Sequence, residues 1–183
     1  VLPPSSSPTT CGTGGRTQGL FGQTDGNVVS HEGEILSTEA GAVEHLTCMV
    51  KGYVATTDAG LAVGRTETGE QCWSSDGAPV SAQTEAMEHE GASLLWLARD
   101  EGTGSSVRVW ATNRGGMLAD GSFSKVRSMH GTHERIVIGC EDGSLHVWER
   151  EMLHRRLSSG APPAEEVDER TSALQAKLRA LRR

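Results

Sequence analysis

Arg135–Arg150, RIVIGCEDGSLHVWER, reads as one β-hairpin: an apolar strand, an Asp142-Gly143 turn, and a second strand that closes on Trp148. Short apolar runs rich in β-branched residues and bounded by Gly and Asp are the pattern of strands and turns. Three weaker copies line up with this one. Ser93–Thr112 (SLLWLARDEGTGSSVRVWAT) closes on Trp110, Gly52–Arg65 (GYVATTDAGLAVGR) has Gly64 at the closing position, and Gly19–His31 (GLFGQTDGNVVSH) has Ser30 there. The closing positions 30, 64, 110 and 148 are separated by 34, 46 and 38 residues. Their mean of about 39 is near the roughly 40–45 residues of one four-stranded propeller blade.

The turn chemistry supports the repeat. Asp25-Gly26 and Asp142-Gly143 are dipeptides that tolerate positive φ in a two-residue hairpin turn, and Asp58-Ala59-Gly60 is a looser version with a glycine still available. In the third copy the turn is the longer loop Asp100–Ser106. A further short apolar piece follows each closing strand, at Glu34–Thr38, Gln71–Ser74, Met117–Ala119 and Met152–Leu157, and another precedes the next hairpin, at Val43–Val50, Ala82–Met87 and Phe123–Met129. Four strands per unit are thereby accounted for. Hairpins of this kind also build sandwiches and up-and-down barrels; the regular period and the terminal Trp favour the propeller.

At LHVWE (Leu145–Glu149) and VRVWA (Val107–Ala111) the chain resembles the WD-repeat β-propeller family, whose repeats end in apolar-x-apolar-Trp-Asp. The resemblance covers residues 17–158. Glu149 and Ala111 stand where the family has its terminal Asp, two copies lack the Trp, and no Gly-His dipeptide precedes a unit. The family's internal tetrad joins a turn Asp, a His, a Ser or Thr and the Trp; Asp142 and Trp148 match its first and last members, and no residue is placed for the His. The resemblance implies an all-β fold, a partial β-propeller of four-stranded blades with a short C-terminal α-helix. Its structural repeat positions are Asp25, Gly26, Asp58, Gly60, Trp110, Asp142, Gly143 and Trp148, with Trp148 mostly buried between blades. Propellers have typically 4–8 blades and this family usually seven, so about four repeats imply blades elsewhere, in a longer chain or in another polypeptide.

The flanks differ in composition. Residues 1–16 begin VLPPSSSPTTCGTGG, which has almost nothing to bury and reads as a flexible lead-in. SSGAPPA at Ser158–Ala164 breaks the strand pattern, and within 159–183 the stretch Pro163–Arg183 is rich in helix formers, with acids at its start and bases at its end. Val167, Leu174 and Leu181 recur at heptad spacing. That stripe suits either a solvated helix or the start of a coiled coil.

The 183 residues, 36% hydrophobic with 23 glycines, have an ordinary globular composition. With 17 Lys+Arg against 24 Asp+Glu the net charge is −7, which disfavours nucleic acid and anionic lipid as partners, and no apolar run is long enough to span a membrane. Cys11, Cys48, Cys72 and Cys140 form no CxxC pair, and Cys48 and Cys140 sit in apolar runs, which points to reduced core thiols and an intracellular, cytoplasmic protein. Chemistry finds no anchor. His130 and His133 lack a third ligand nearby, Gly102-Thr103-Gly104 leads into a strand rather than a helix, Ser122-Phe123 replaces the Lys-Ser/Thr pair of a phosphate loop, and no G-x-S-x-G occurs. Acidic stretches holding Glu67, Glu70, Glu85, Glu88 and Glu90 read as solvated surface.

These features together describe a non-enzymatic protein–protein interaction scaffold that presents propeller loops to protein partners and needs no cofactor or metal. The alternative is an accessory propeller segment of a larger enzyme whose catalytic domain lies outside this chain. A third reading, a sensor of a small anion, has Arg65, Arg99 and Arg108 as its candidate residues.

Overall fold

The computed structural model describes residues 7–14, 19–112 and 116–158. It divides into two units, Val1–Arg150 and Glu151–Arg183. The first unit consists of antiparallel meanders, each made from strands consecutive in the chain. Blade 1 holds β1 (Thr9–Gly14), β2 (Gly19–Gln23), β3 (Asn27–Ser30) and β4 (Ile35–Thr38); blade 2 holds β5 (Val43–Met49), β6 (Gly52–Thr57), β7 (Ala62–Arg65) and β8 (Gln71–Ser75). Blade 3 holds β9 (Val80–His89), β10 (Ala92–Asp100), β11 (Ser105–Ala111) and β12 (Gly116–Phe123), and blade 4 holds β13 (Val126–Gly131), β14 (Arg135–Cys140) and β15 (Leu145–Glu149). The four hairpins read from the sequence are the second and third strands of successive blades.

The first strands lie side by side, β1 along β5, β5 along β9 and β9 along β13, as the inner strands of a β-propeller do. No comparable packing joins β13 back to β1 among the described residues, so the propeller is partial. Between blades 1 and 2 the core is Leu20, Val28, Val43, Leu46, Tyr53 and Ala55; between blades 2 and 3 it is Val54, Ala62, Val80, Leu95 and Leu97. Alternation along each strand supplies both sets. Tyr53 and Ala55 of β6 serve the blade 1 side while Val54 serves blade 3, so this second strand is apolar on both faces. Burying each Val or Leu contributes about 1.5–3 kcal/mol, which is the main stabilisation a blade gains from its neighbour.

Two expectations are corrected. Thr9–Gly14, read as part of a flexible lead-in, is strand β1, paired with β2 from Cys11↔Gly22 to Gly14↔Gly19. It is ordered by backbone pairing and by Thr10, whose hydroxyl reaches the carbonyls of Gly22 and Val43, rather than by apolar burial, which is why composition missed it. Met152–Leu157, read as the last strand of blade 4, belongs to helix α1 (Arg150–Ser158). REMLHRRLS lacks β-branched residues, carries Glu151 in the first turn and Arg155 and Arg156 in the last, and pairs Glu151 with Arg155 at 3.5 Å. Blade 4 therefore has three strands against four in each of the others. The helix expected at Pro163–Arg183, with its heptad stripe, lies outside the described residues.

Candidate functional site

The residues singled out by the repeat lie in the turns and at the blade contacts, and one hydrogen bond defines where each turn begins. The amides of Thr24, Asp58, Asp100 and Glu141 donate to the carbonyls of Pro8, Ala42, Pro79 and Lys125, tying the end of each blade's second strand to the start of its first. From there the chain turns back. Gly26 N donates to Gln23 O at 3.1 Å, Gly60 N to Thr57 O at 2.9 Å, and Gly143 N to Cys140 O at 3.1 Å. The glycines have φ of 88°, 85° and 82°, while Asp25 and Asp142 keep ordinary negative φ. A two-residue type I′ turn needs positive φ at both central residues, so these are type I turns followed by a left-handed glycine. The constant element is the Gly three residues after the first strand ends. Asp58 thus occupies the position of Thr24 and Glu141, and Asp25 and Asp142 that of Ala59.

The aspartates brace these turns. Asp25 accepts from Asn27 N at 3.2 Å and Asn27 Nδ2 at 2.9 Å, and Asp58 accepts from Ala59 N at 2.9 Å. Asp142 accepts from Ser144 N at 2.9 Å and Ser144 Oγ at 2.7 Å, which holds its carboxyl below the ordinary value. His146 Nε2 lies 3.3 Å from the same hydroxyl. The order is Asp–Ser–His, with the serine proton committed to the carboxylate, so the imidazole is not placed to remove it as a base activating a nucleophile must. The cluster is a turn device.

In blades 2, 3 and 4 the closing residue faces the preceding blade, whereas Ser30 of blade 1 pairs with Leu20 on the side facing blade 2. Trp110 stacks on Trp73 of blade 2, with ring centroids 5.8 Å apart and planes 2° from parallel, and Trp148 meets Trp96 of blade 3 edge-on at 6.5 Å and 60°. Trp148 is half-buried rather than enclosed, because β15 is the outermost strand of its sheet. In blade 2 the equivalent residue is Arg65, not Gly64. Arg65 pairs with Tyr53 across the hairpin and reaches blade 1, donating through Nε to Glu39 Oε1 at 2.6 Å and through Nη2 to Oε2 at 2.8 Å. Tyr53 donates to Ser37, and Ser37 to the same carboxylate. The sequence alignment slipped by one residue, and in a strand one residue is the opposite face. Counting five residues from the turn glycine leads from Gly60 to Arg65 and from Gly143 to Trp148, a signal present in the sequence.

Two of the three arginines proposed for an anion, Arg65 and Arg99, are otherwise engaged. Arg65 is neutralised by Glu39, and its Nη1 donates to Gly69 O at 2.8 Å. Arg99 is 1% exposed and donates to the carbonyls of Gly60, Ala78 and Ser75 at 2.6, 2.7 and 3.0 Å. Both cations join one blade to the preceding one, so neither is offered to a small anion. The free thiols of Cys11 and Cys48 are half-buried, and desolvation raises the pKa of each. Cys140 is buried and Cys72 exposed.

An interblade groove of about 430 Å³ is lined on the blade 2 side by Met49, Lys51, Val54 and Trp73 and on the blade 3 side by Ser93 and Thr112.

No protein-family model and no curated protein sequence matches the chain. Solved structures are similar in fold. The computationally designed Ika4 protein matches with TM-score 0.64 and 21% identity over 81% of this chain and 95% of that one. The WD40 β-propeller domain of Doa1 matches with TM-score 0.60 and 14% identity over 79% of this chain and 52% of that one. BBS1N, solved in complex with ARL6DN, matches with TM-score 0.59 and 16% identity over 75% and 48%. The chain thus spans about half the length of the latter two and nearly all of the first.

Proposed function

We propose that this chain is a non-enzymatic, cytoplasmic protein-interaction module built from WD-repeat-like blades, and that it works by packing protein against its open blade surface. The observation that carries this reading is the outer face of blade 4. Leu145 and Val147 of β15 are 72% and 52% exposed, on the face opposite Trp148, and pair across the hairpin with Gly139 and Val137. In blades 1 and 2 the corresponding face is buried against the next blade, and in blade 3 it carries buried Trp96 and Val109, with Trp96 meeting Trp148 of blade 4. Large apolar side chains clustered in the open mark a contact surface. The complex of BBS1N with ARL6DN shows a propeller-like neighbour holding a protein, which supports the same reading here.

Light scattering and cross-linking of the purified chain test it. The expected result is association with a second protein chain, another copy included, cross-linked through β15 and lost in the double variant Leu145→Glu, Val147→Glu. A monodisperse monomer that associates with nothing, or turnover of a substrate, overturns the proposal.

A further inference from the structure

We propose that the groove between blades 2 and 3 binds an extended peptide segment that sets an apolar side chain beside an acidic one. This rests on the interaction-module reading and gives it a second, separate site. A groove of about 430 Å³ lies within the roughly 300–1,000 Å³ of ligand pockets. On one side Met49, Val54 and Trp73 form an apolar wall. Trp73 lies flat across β7 because position 64 is glycine; a Cβ there would stand 2.3 Å from the indole. Its stacking on Trp110 fixes the ring. The wall is therefore formed before any ligand arrives.

The opposite side carries an unmet polar group. Ser93 is 4% exposed, and its Oγ has no hydrogen-bond partner among the described residues. Alternation along β10 places its side chain with those of Leu95 and Leu97, which pack toward blade 2. Its own carbonyl is already held by Thr112 Oγ1 at 2.9 Å. A buried hydroxyl without a partner is costly in a native fold, and a carbonyl offered by a ligand satisfies it. The charged lining is cationic: Arg65 is neutralised by Glu39, while Lys51 on the β5–β6 turn has no ion-pair partner among the described residues. The groove thus offers an apolar wall, a hydroxyl donor and an ammonium. Two consecutive peptide residues supply the matching side chain, backbone carbonyl and carboxylate.

The test follows the Trp73 indole N–H resonance of the whole chain during titration with acetyl-GGLEGG-amide and acetyl-GGLKGG-amide. The Leu-Glu peptide should shift it saturably and bind about tenfold more tightly than the Leu-Lys peptide, as one charge-assisted contact allows. Ser93→Ala should fold with an unchanged or higher urea midpoint, because it deletes an unpaired group, yet bind about five- to tenfold more weakly. Lys51→Glu, on an exposed turn, should reverse the peptide preference. Absence of a saturable shift with either peptide, tighter binding of the Leu-Lys peptide, or undiminished affinity in Ser93→Ala overturns the proposal. If the groove fails while association through β15 persists, the interaction-module reading stands without it; if the chain associates with nothing and no shift appears, both are lost.

Discussion

Arg99 is a buried cation held by three carbonyls and no carboxylate. Burial, reinforced by Arg108, pulls its pKa below the ordinary guanidinium value, yet an arginine remains charged at neutral pH. Arg99→Met should therefore cost roughly 2–5 kcal/mol by stranding the carbonyls of Gly60, Ala78 and Ser75, and Arg99→Lys should not restore it, because an ammonium lacks the planar fork. Urea denaturation measures both, and a wild-type midpoint in either contradicts the assignment. Asp142 bears on acid stability. A carboxyl whose folded pKa is depressed stabilises the fold fully above its unfolded value, here near 3.8, and loses that contribution as the pH falls through the lower folded value. Urea midpoints at about pH 5 and about pH 3 should thus fall less in Asp142→Asn than in the wild type; equal falls rule the linkage out. At this scale the turn glycines were legible because only glycine holds positive φ cheaply. Arg65 was missed because a polar residue at a closing position carries no apolar signal, leaving only the count from the turn glycine to mark it.

Among the strands, β9 and β13 approach closely across a blade boundary. A Cβ on Gly131 would lie 2.3 Å from Ala86 Cβ and 2.5 Å from Glu85 O, and Met87, at φ 65°, donates its amide to Thr132 O across the same boundary at 2.9 Å. Gly131→Ala should cost about 1–3 kcal/mol, as overpacking does, whereas Gly116→Ala, with nothing within 4 Å of the added Cβ, should be neutral or stabilising. Comparable midpoints for the two variants would show that the strands can separate. β9 is irregular where Leu95 pairs with Glu85 and Ser93 with Glu88, and such a bulge breaks the alternation by which Ala82–Met87 is read as a strand. β1 and α1 went wrong for opposite reasons. The first is a polar strand ordered by its partner, the second an apolar run with no β-branched residue, and a repeat template expects a strand at both.

Across the blades, tryptophans bridge two of the boundaries, from Trp110 to Trp73 and from Trp148 to Trp96. Because Trp148 is only half-buried, Trp148→Ala should cost about 2–3 kcal/mol, less than the roughly 3–5 of an enclosed aromatic. Calorimetry would place Trp110→Ala at or above it, since that ring is stacked on another indole; a reversed order means that blade 4 is anchored more firmly than its open face implies. Fold class was legible at this scale because the hairpin repeats four times, while the groove was not: Met49, Trp73 and Ser93 are far apart in the chain and meet only where two blades face. One property of the sheets reaches further. Every sheet is finished by strands adjacent in the chain before the next begins, and no described strand from one terminus completes a sheet at the other. Pairing is local, so a nascent chain can close each meander as it leaves the ribosome, without waiting for distant sequence. Duplication or loss of one blade then leaves the pairing within every other described sheet untouched.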